Sequence, residues 1–371
     1  MIYLDGSATT KPYKEVIDTI VDVLENHWGN ASGDYSFGYD AKEIINKVTH
    51  QVANDINCNP EEIIWTSGAC EANSLAFCGV KQAMPYVEFY TTNLEHASIN
   101  AITDKVHKIK NDECGYVDLE NLQRWMEAHD GWSFNIPFVS VCYANSEIGT
   151  IQNIKSIAQV VHKYHGILHV DATQMYPWEH IDVQALGIDL MSVSGQKMHC
   201  VKGIGFLYVK NGINIRPVIY GSQQNGLRGG TYPTHLIAAF GKALELIRKN
   251  NCSDDVEFMR DELMMKLANI PNVSFNGPTE NRLVNNISMT VHGVKADEIV
   301  AMCDEYGVII AKGSACQSYK SVPSGTLLGI GLSEEDALST IRISLHEFNT
   351  LDEIYSAAKI ITEVIEILRR Y

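Results

Sequence analysis

Positive charge is scarce in this chain. Its 29 Lys and Arg are outnumbered by 45 Asp and Glu, for a formal net charge of −16. Nonspecific nucleic-acid binding works by neutralising phosphates and needs the opposite balance, so no direct nucleic-acid partner is expected. Long hydrophobic runs are missing as well. No apolar stretch reaches the ~18 residues that a membrane helix needs. Cysteine is present, but not in a disulfide pattern: the nine residues are odd in number and no C-x-x-C occurs. No secretory signal opens the chain, since Met1-Ile2-Tyr3-Leu4-Asp5 runs straight into a polar segment. The expectation is a reducing, cytoplasmic setting without a disulfide framework. There is no internal repeat and no low-complexity tail. His162, His165 and His169 lie close in sequence, but they straddle the junction of a helix-like run and the strand Ile167–Val170. They are expected to diverge, not to share a metal.

What is present is ordinary globular material, 45% hydrophobic and 20% charged. A length of 371 residues predicts roughly two domains. Short, apolar, β-branched runs at Glu62–Thr66, Val87–Thr91, Phe138–Tyr143, Ile167–Val170, Leu190–Val193 and Phe206–Val209 read as strands. Between them, periodic segments such as Asp40–Asp55, Glu71–Ala83, Leu119–Ala128 and Ile154–Tyr164 read as helices. The alternation predicts an α/β fold, a mostly parallel sheet with helices on both faces. Ligands of such sheets sit outside the carboxyl ends of the strands.

The pattern changes after about residue 250. A charged helix (Asp255–Leu267), a strand (Asn286–Val291), a helix (Ala296–Tyr306) and a strand (Val308–Ala311) lead into the Gly/Ser-rich stretch Lys312–Gly325. A strand Thr340–His346 and a last helix follow, the helix opening at the capping box Thr350-Leu351-Asp352-Glu353. This reads as a smaller α+β unit, joined to the first by the helix Thr234–Lys249. The expected division is a large domain over 13–250 and a small one formed by 1–12 with 251–371.

Five groups of residues fall at predicted strand ends or in the adjoining loops. In Met191-Ser192-Val193-Ser194-Gly195-Gln196-Lys197, a lysine follows Ser-Gly at the end of an apolar run. A lysine whose charge is disfavoured by a dry pocket is a carbonyl-trapping nucleophile. In Thr66-Ser67-Gly68-Ala69-Cys70-Glu71 a strand ends, a glycine turns and a helix begins. The free N–H groups of such a helix start suit a phosphate. His96 follows the strand Val87–Thr91 and suits ring stacking or proton transfer. Asp171, delivered by the strand Leu168-His169-Val170, suits a pyridine nitrogen that must stay protonated, and Gln174 suits the ring oxygen. Cys316 stands in the small, polar loop Gly313-Ser314-Ala315-Cys316-Gln317-Ser318, whereas most other cysteines sit in apolar or helical surroundings. It is the thiol expected to be reactive.

Together these residues resemble the cysteine desulfurases of the NifS/IscS type, in the class V aminotransferase group of fold-type I pyridoxal-phosphate (PLP) enzymes. The resemblance covers nearly the whole chain. It runs from Tyr3-Leu4-Asp5-Gly6-Ser7-Ala8-Thr9-Thr10 through Glu61–Ala69, Glu147-Ile148-Gly149 with Gln152, and His169–Gln174. It ends with Gly313-Ser314-Ala315-Cys316 and Ile341-Arg342-Ile343-Ser344.

The resemblance implies a large domain built on a seven-stranded, mostly parallel sheet. It implies conversion of L-cysteine to L-alanine, with the sulfur passing to Cys316 as a persulfide and on to an acceptor protein. Iron–sulfur cluster assembly is the pathway implied by the family name. By the same token Lys197 is the Schiff-base residue and moves the Cα proton. His96 stacks on the ring, and Asp171 and Gln174 contact its nitrogen and oxygen. Ala69, Cys70, Ser194 and Gln196 hold the phosphate, with Thr231 reaching the phosphate of the neighbouring subunit of a homodimer. Ser146 lies near the cofactor. Asn30, Asn145 and Arg342 contact the substrate, Arg342 as a bidentate clamp on its carboxylate.

Several positions depart from the family pattern. Gln196 replaces the histidine of Ser-Gly-His-Lys; it keeps a hydrogen-bond donor but cannot carry a proton charge. Ser146 replaces the second Asn of Asn-Asn-Glu-Ile-Gly, and Cys70 replaces a threonine. The family's Gly-Asn-Pro-Ser-Ser-x-His is Gly29-Asn30-Ala31-Ser32-Gly33-Asp34-Tyr35, and Arg-Ser-Gly-Thr is Arg228-Gly229-Gly230-Thr231. Two other readings stand beside the first. One is a different class V activity on a related amino acid: a transaminase, an epimerase or a C–S or C–Se lyase. The other is a catalytically weak sulfur carrier or regulatory partner.

Overall fold

The computed structural model describes residues 1–102, 105–129, 135–313 and 322–370. Its centre is a seven-stranded sheet. In spatial order the strands are Ile63–Thr66, Gly205–Val209, Leu190–Ser194, Ile167–Asp171, Ile136–Cys142, Val87–Thr91 and Val106–Lys108. Gly205–Val209 runs antiparallel to both of its neighbours, and the remaining pairs are parallel. The six strands expected from sequence are all present. The seventh, Val106–Lys108, is three residues long and partly exposed, too short to register as a periodic run.

Every residue of Ile167–Asp171 and Leu190–Ser194 is buried, because helices cover both faces of a parallel sheet. That is why these strands read as unbroken apolar runs. The helices Ser36–Ile56, Ile154–Lys163 and Thr234–Asn250 contribute buried stripes to one core, which also takes in Trp65, Phe206 and Phe240. A separate apolar cluster around Phe77, Phe89 and Phe138 lies with the helix Ala69–Ala83. One long helix escaped the sequence reading, Lys14–Asn26, which packs against Thr234–Asn250; the short helices Ala97–Asn100, Val183–Leu186, Gly325–Gly329 and Glu334–Leu338 were not read either. In Lys14–Asn26, Ile17, Val21 and Leu24 point to solvent, so its apolar residues do not form one inward stripe.

The C-terminal residues build a second core on the four-stranded sheet Ala311–Lys312, Thr340–Ser344, Asn286–Val291 and Val273–Phe275. The long helix Leu351–Leu368 covers it, with Thr350 and Glu353 forming the capping box read from sequence. The first residues of the chain join this unit: Ile2–Tyr3 pairs with Val308–Ile309, and Leu4 is buried in the second core. That excursion brings Asp5, Ser7 and Ala8 to the carboxyl end of the large sheet. The three histidines diverge: His162 pairs with Asp189, His165 adopts a left-handed backbone, and His169 is buried between Ser140 and Ser192.

Candidate active site

Asp171 ends its strand with 7% of its surface exposed. Its Oδ2 accepts from Asn73 Nδ2 at 2.9 Å, and its Oδ1 from the Thr173 N–H at 3.0 Å. Both donors are neutral. Asn73 Nδ2 also reaches Ser98 Oγ at 3.0 Å, and Ser98 Oγ lies 2.8 Å from His96 Nδ1. The Ser98 backbone N–H donates to the same Nδ1 at 3.1 Å. Nδ1 is therefore the acceptor nitrogen, and the imidazole proton sits on Nε2. Asp171 and the exposed ring of His96 are thus tied through Asn73 and Ser98, from three separate elements.

Facing them is the start of the helix Ala69–Ala83. Its N-cap, Gly68, has φ 145° and supplies no side-chain cap, so the first N–H groups of the helix have no intrahelical acceptor. A Cβ on Gly68 would meet only Ser194 Oγ, at 3.5 Å, whereas a Cβ on Gly205 would strike Gly68 Cα at 2.8 Å. The two glycine backbones pack together and leave a hollow bordered by Ser194. Arg228 forks onto Glu71 of the same helix, with Nε 2.8 Å from Oε1 and a second nitrogen 3.2 Å from Oε2, and Ser67 N–H donates to that carboxylate at 2.8 Å. Burial pushes Glu71 upward, but the Arg228 fork and Ser67 outweigh it and hold the carboxyl below its ordinary value. This pair anchors the loop carrying Thr231, which is exposed. Cys70 is exposed at the same helix start.

Lys197 closes a short 3-10 turn, Gly195–Lys197, directly after the strand Leu190–Ser194. Its Nζ donates to Ser7 O at 2.6 Å and also to Ala8 O, while Gln174 Nε2 donates to Ser7 O at 3.1 Å. The N-terminal segment therefore holds the lysine at the mouth of the site. The Gln196 carbonyl accepts from Thr10 N–H at 3.0 Å and Thr10 Oγ1 at 3.1 Å, so Gln196 fastens the same segment through its backbone.

The loop 145–149 faces the second unit. Asn145 is 3% exposed, and its side chain serves the loop itself. Its Nδ2 donates to Leu94 O at 2.9 Å, and its Oδ1 accepts from Glu147 and Ile148 N–H at 2.8 and 3.0 Å. Asn145 thus shapes the loop. The Ser146 carbonyl is held by Asn286 Nδ2 at 3.0 Å. Arg342, 4% exposed, pairs with Asp5 at 2.7 Å, and its Nε has no partner among the described residues. Glu147 accepts from Ser324 Oγ. Burial raises its proton affinity, against the pull of Ser324 and of the Arg342 charge. Asn30 is exposed, and its Oδ1 accepts from Ser32 N–H at 3.0 Å. Cys316 lies outside the described residues.

Comparison with known proteins places this geometry. The family described as Aminotransferase class-V matches residues 2–356. The chain belongs to the class V aminotransferase family. A relative from Archaeoglobus fulgidus named cysteine desulfurase IscS 1 is 32% identical over 100% of this chain and 98% of its own length. A solved structure of a NifS-like protein superposes with a TM-score of 0.91 at 26% identity, covering 99% of this chain and 100% of that one. A structure described as SspA in complex with cysteine gives 0.81 at 29% identity, covering 94% and 100% of the two chains. The cofactor of this family is pyridoxal phosphate, and the residues here fit it. Asp171 is a buried carboxylate with only neutral donors. Beside it Thr173 Oγ1 is buried with no partner among the described residues. The Gly68 hollow has the N–H groups that a phosphate requires.

Sequence reading missed Asn73, Ser98, Ser7 and Asp5 as parts of this class V site. Ser98 carried a faint signal, two residues after His96. Asn73 carried none, because its partner lies 98 residues away; Asp5 stands in the N-terminal motif, but its pairing with Arg342, 337 residues away, was not legible.

Proposed function

We propose that this protein is a PLP-dependent cysteine desulfurase that converts L-cysteine to L-alanine and passes the sulfur to Cys316. The observation that carries the reading is the hydrogen-bonded set Asp171–Asn73–Ser98–His96, with Lys197 just beyond the strand that pairs with the Asp171 strand, in a class V chain whose relative is named a cysteine desulfurase over its full length. When bound, PLP withdraws electrons from the substrate and weakens its Cβ–S bond. Asp171 supplies the negative charge that keeps the ring nitrogen protonated. His96, its proton fixed on Nε2 by Ser98, flanks the ring. The N–H groups of Ala69 and Cys70 with Ser194 receive the phosphate, Gln174 the ring oxygen, and Lys197 anchors the cofactor and moves the proton at the substrate Cα. Arg342 binds the substrate carboxylate once it exchanges Asp5 for it.

The Cys316 thiolate takes the sulfur, and the balance closes. Cysteine and one thiol become alanine and one persulfide, with the thiol proton ending on carbon. The persulfide then goes to an acceptor protein. A homodimer completes the reading: Val218, Ile219 and Tyr220 are exposed near the loop of Arg228 and Thr231. Of the chain's cysteines, the eight described are all unpaired, which suits a reducing cytoplasm. Among the described residues no helix is long and apolar enough to cross a membrane. Ser146, Gln196 and Cys70 stand at the cofactor site where the family pattern differs, and they sustain a second reading, another class V activity on a related amino acid.

The experiment is to supply L-cysteine and a thiol and to measure sulfide and alanine. Equal amounts of both are expected, with visible absorbance that disappears in Lys197→Ala. Cys316→Ser is expected to lose sulfide release while keeping the absorbance. Alanine without sulfide, or a Cys316→Ser variant with full sulfide release, would overturn the persulfide route.

A further inference from the structure

Glu95 is a buried carboxyl that the chemistry above leaves unused, with 5% of its surface exposed. It closes the turn Thr92-Asn93-Leu94-Glu95. The Thr92 hydroxyl donates to Glu95 Oε1 at 2.7 Å, and the Thr92 oxygen accepts from Leu94 N–H at 3.0 Å. The turn is seated on the end of the neighbouring strand: Leu94 O accepts from Asn145 Nδ2 and lies 4.0 Å from Cys142 Sγ. Cys142 is the register partner of Asp171. The turn thus packs on the strand that pairs with Asp171, close enough for the Asp171 charge to act on Glu95.

Two carboxylates in one dry region do not both keep a charge. The hydrogen bonds decide which one gives way. Asp171 has a donor on each oxygen, Asn73 on one and Thr173 on the other. Glu95 has Thr92 on Oε1 and only a weak further pull from the Cys142 N–H, and its Oε2 is buried with no hydrogen-bond partner among the described residues. The unpartnered Oε2 leaves a charge on Glu95 poorly solvated, so Glu95 carries a proton. The other groups facing Glu95 do not reverse this. Lys108 favours the charged form, but its ammonium is held by Thr91, Thr92 and Asn100. The Cys142 thiol, pushed well up by burial, is neutral. His169, pushed down to about 4 by burial, adds no positive charge near neutrality. Burial raises Glu95 to about 8, with Thr92, Lys108 and the Cys142 N–H opposing and the Asp171 charge adding.

We propose that Glu95 is a positioning residue which, as a neutral carboxylic acid, keeps the inner wall of the cofactor site at one negative charge, that of Asp171. This rests on the cofactor reading given above. The sign follows directly. Below the Glu95 titration the ring nitrogen faces a single carboxylate. Above it a second negative charge appears, and the protonated ring is held more tightly.

The test uses the full chain as purified and two readouts. Infrared difference spectra of wild type against Glu95→Gln at pH 7 are expected to show a protonated-acid carbonyl stretch, lost in the variant. The visible titration of the wild-type protein is expected to contain a step near pH 8 that Glu95→Gln lacks, with the pH 7 spectrum unchanged. Identical infrared spectra, or identical visible titrations, would overturn the proposal. Should Glu95→Gln not fold, Thr92→Val reads the same effect, since losing the hydroxyl donor moves the wild-type step to higher pH; an unmoved step counts against the proposal. Absence of any visible band in wild type sinks the cofactor reading and the cofactor role of Glu95 with it, while the infrared difference still reports the proton.

Discussion

Two buried charges of this molecule are held in opposite ways. Asp171 ends a central strand of the parallel sheet, 7% exposed, with two neutral donors and no cation paired with it among the described residues. Arg342 lies within an antiparallel strand of the second unit, 4% exposed, already paired with Asp5. Burying an unpaired ion costs several kcal/mol, and a partner recovers much of it. Arg342 has its partner in the same chain. Asp171 is stabilised only by an Asn73 amide and a backbone N–H, an arrangement that leaves room for an incoming cation such as a protonated ring. One charge awaits a ligand and the other must exchange an internal partner for one. This contrast supports the proposed assignment of Asp171 to the resident cofactor and of Arg342 to a substrate that comes and goes.

Substitutions can break that contrast, and the largest effect is expected at Asp171. Asp171→Asn keeps the shape and removes the charge. Turnover is expected to fall by ~10²–10³-fold, the order lost when one electrostatic group of an active site is deleted, and the visible spectrum to shift. An unchanged spectrum would show that the ring nitrogen does not use this carboxylate.

Arg342→Lys tests the other side. A lysine keeps the charge but loses the planar fork. A rise in KM of ~10–100-fold is expected, since a charge-assisted hydrogen bond contributes about 1.5–3 kcal/mol, with the cofactor spectrum intact. A spectral change at this position would blur the assignment of one charge to cofactor and the other to substrate.

The smallest and sharpest test is Asp5→Asn. If Asp5 holds Arg342 only until substrate arrives, removing its charge is expected to lower KM a few-fold. The melting temperature should fall too, because breaking a buried pair leaves Arg342 uncompensated. A raised KM in Asp5→Asn would mean that Asp5 orients Arg342 for the substrate instead of competing with it.

Much of the fold was legible from residue order. Six of the seven strands of the large sheet are buried runs of apolar residues, and the capping box at Thr350 and Glu353 is local. The strand Val106–Lys108 and the helix Lys14–Asn26 were not legible. The first is too short, and the second turns Ile17, Val21 and Leu24 outward. At the site, Lys197, His96 and Asp171 stood out because each follows an apolar run. That the Asn145 side chain ties its loop to Leu94 was not legible, because the two residues lie 51 positions apart.

The sequence by itself determined the alternation of strands and helices, the delivery of Lys197 and Asp171 to the carboxyl ends of their strands, and the family to which the chain belongs. These rest on periodicity and on short motifs, which act over a few residues. Only the tertiary structure decided that Asn73 links Asp171 to Ser98, that Asp5 reaches Arg342, and that Glu95 lies within reach of the Asp171 charge. Those contacts join residues from distant parts of the chain, and packing, not local pattern, sets which buried charge is neutralised, which is shared and which is left for a ligand.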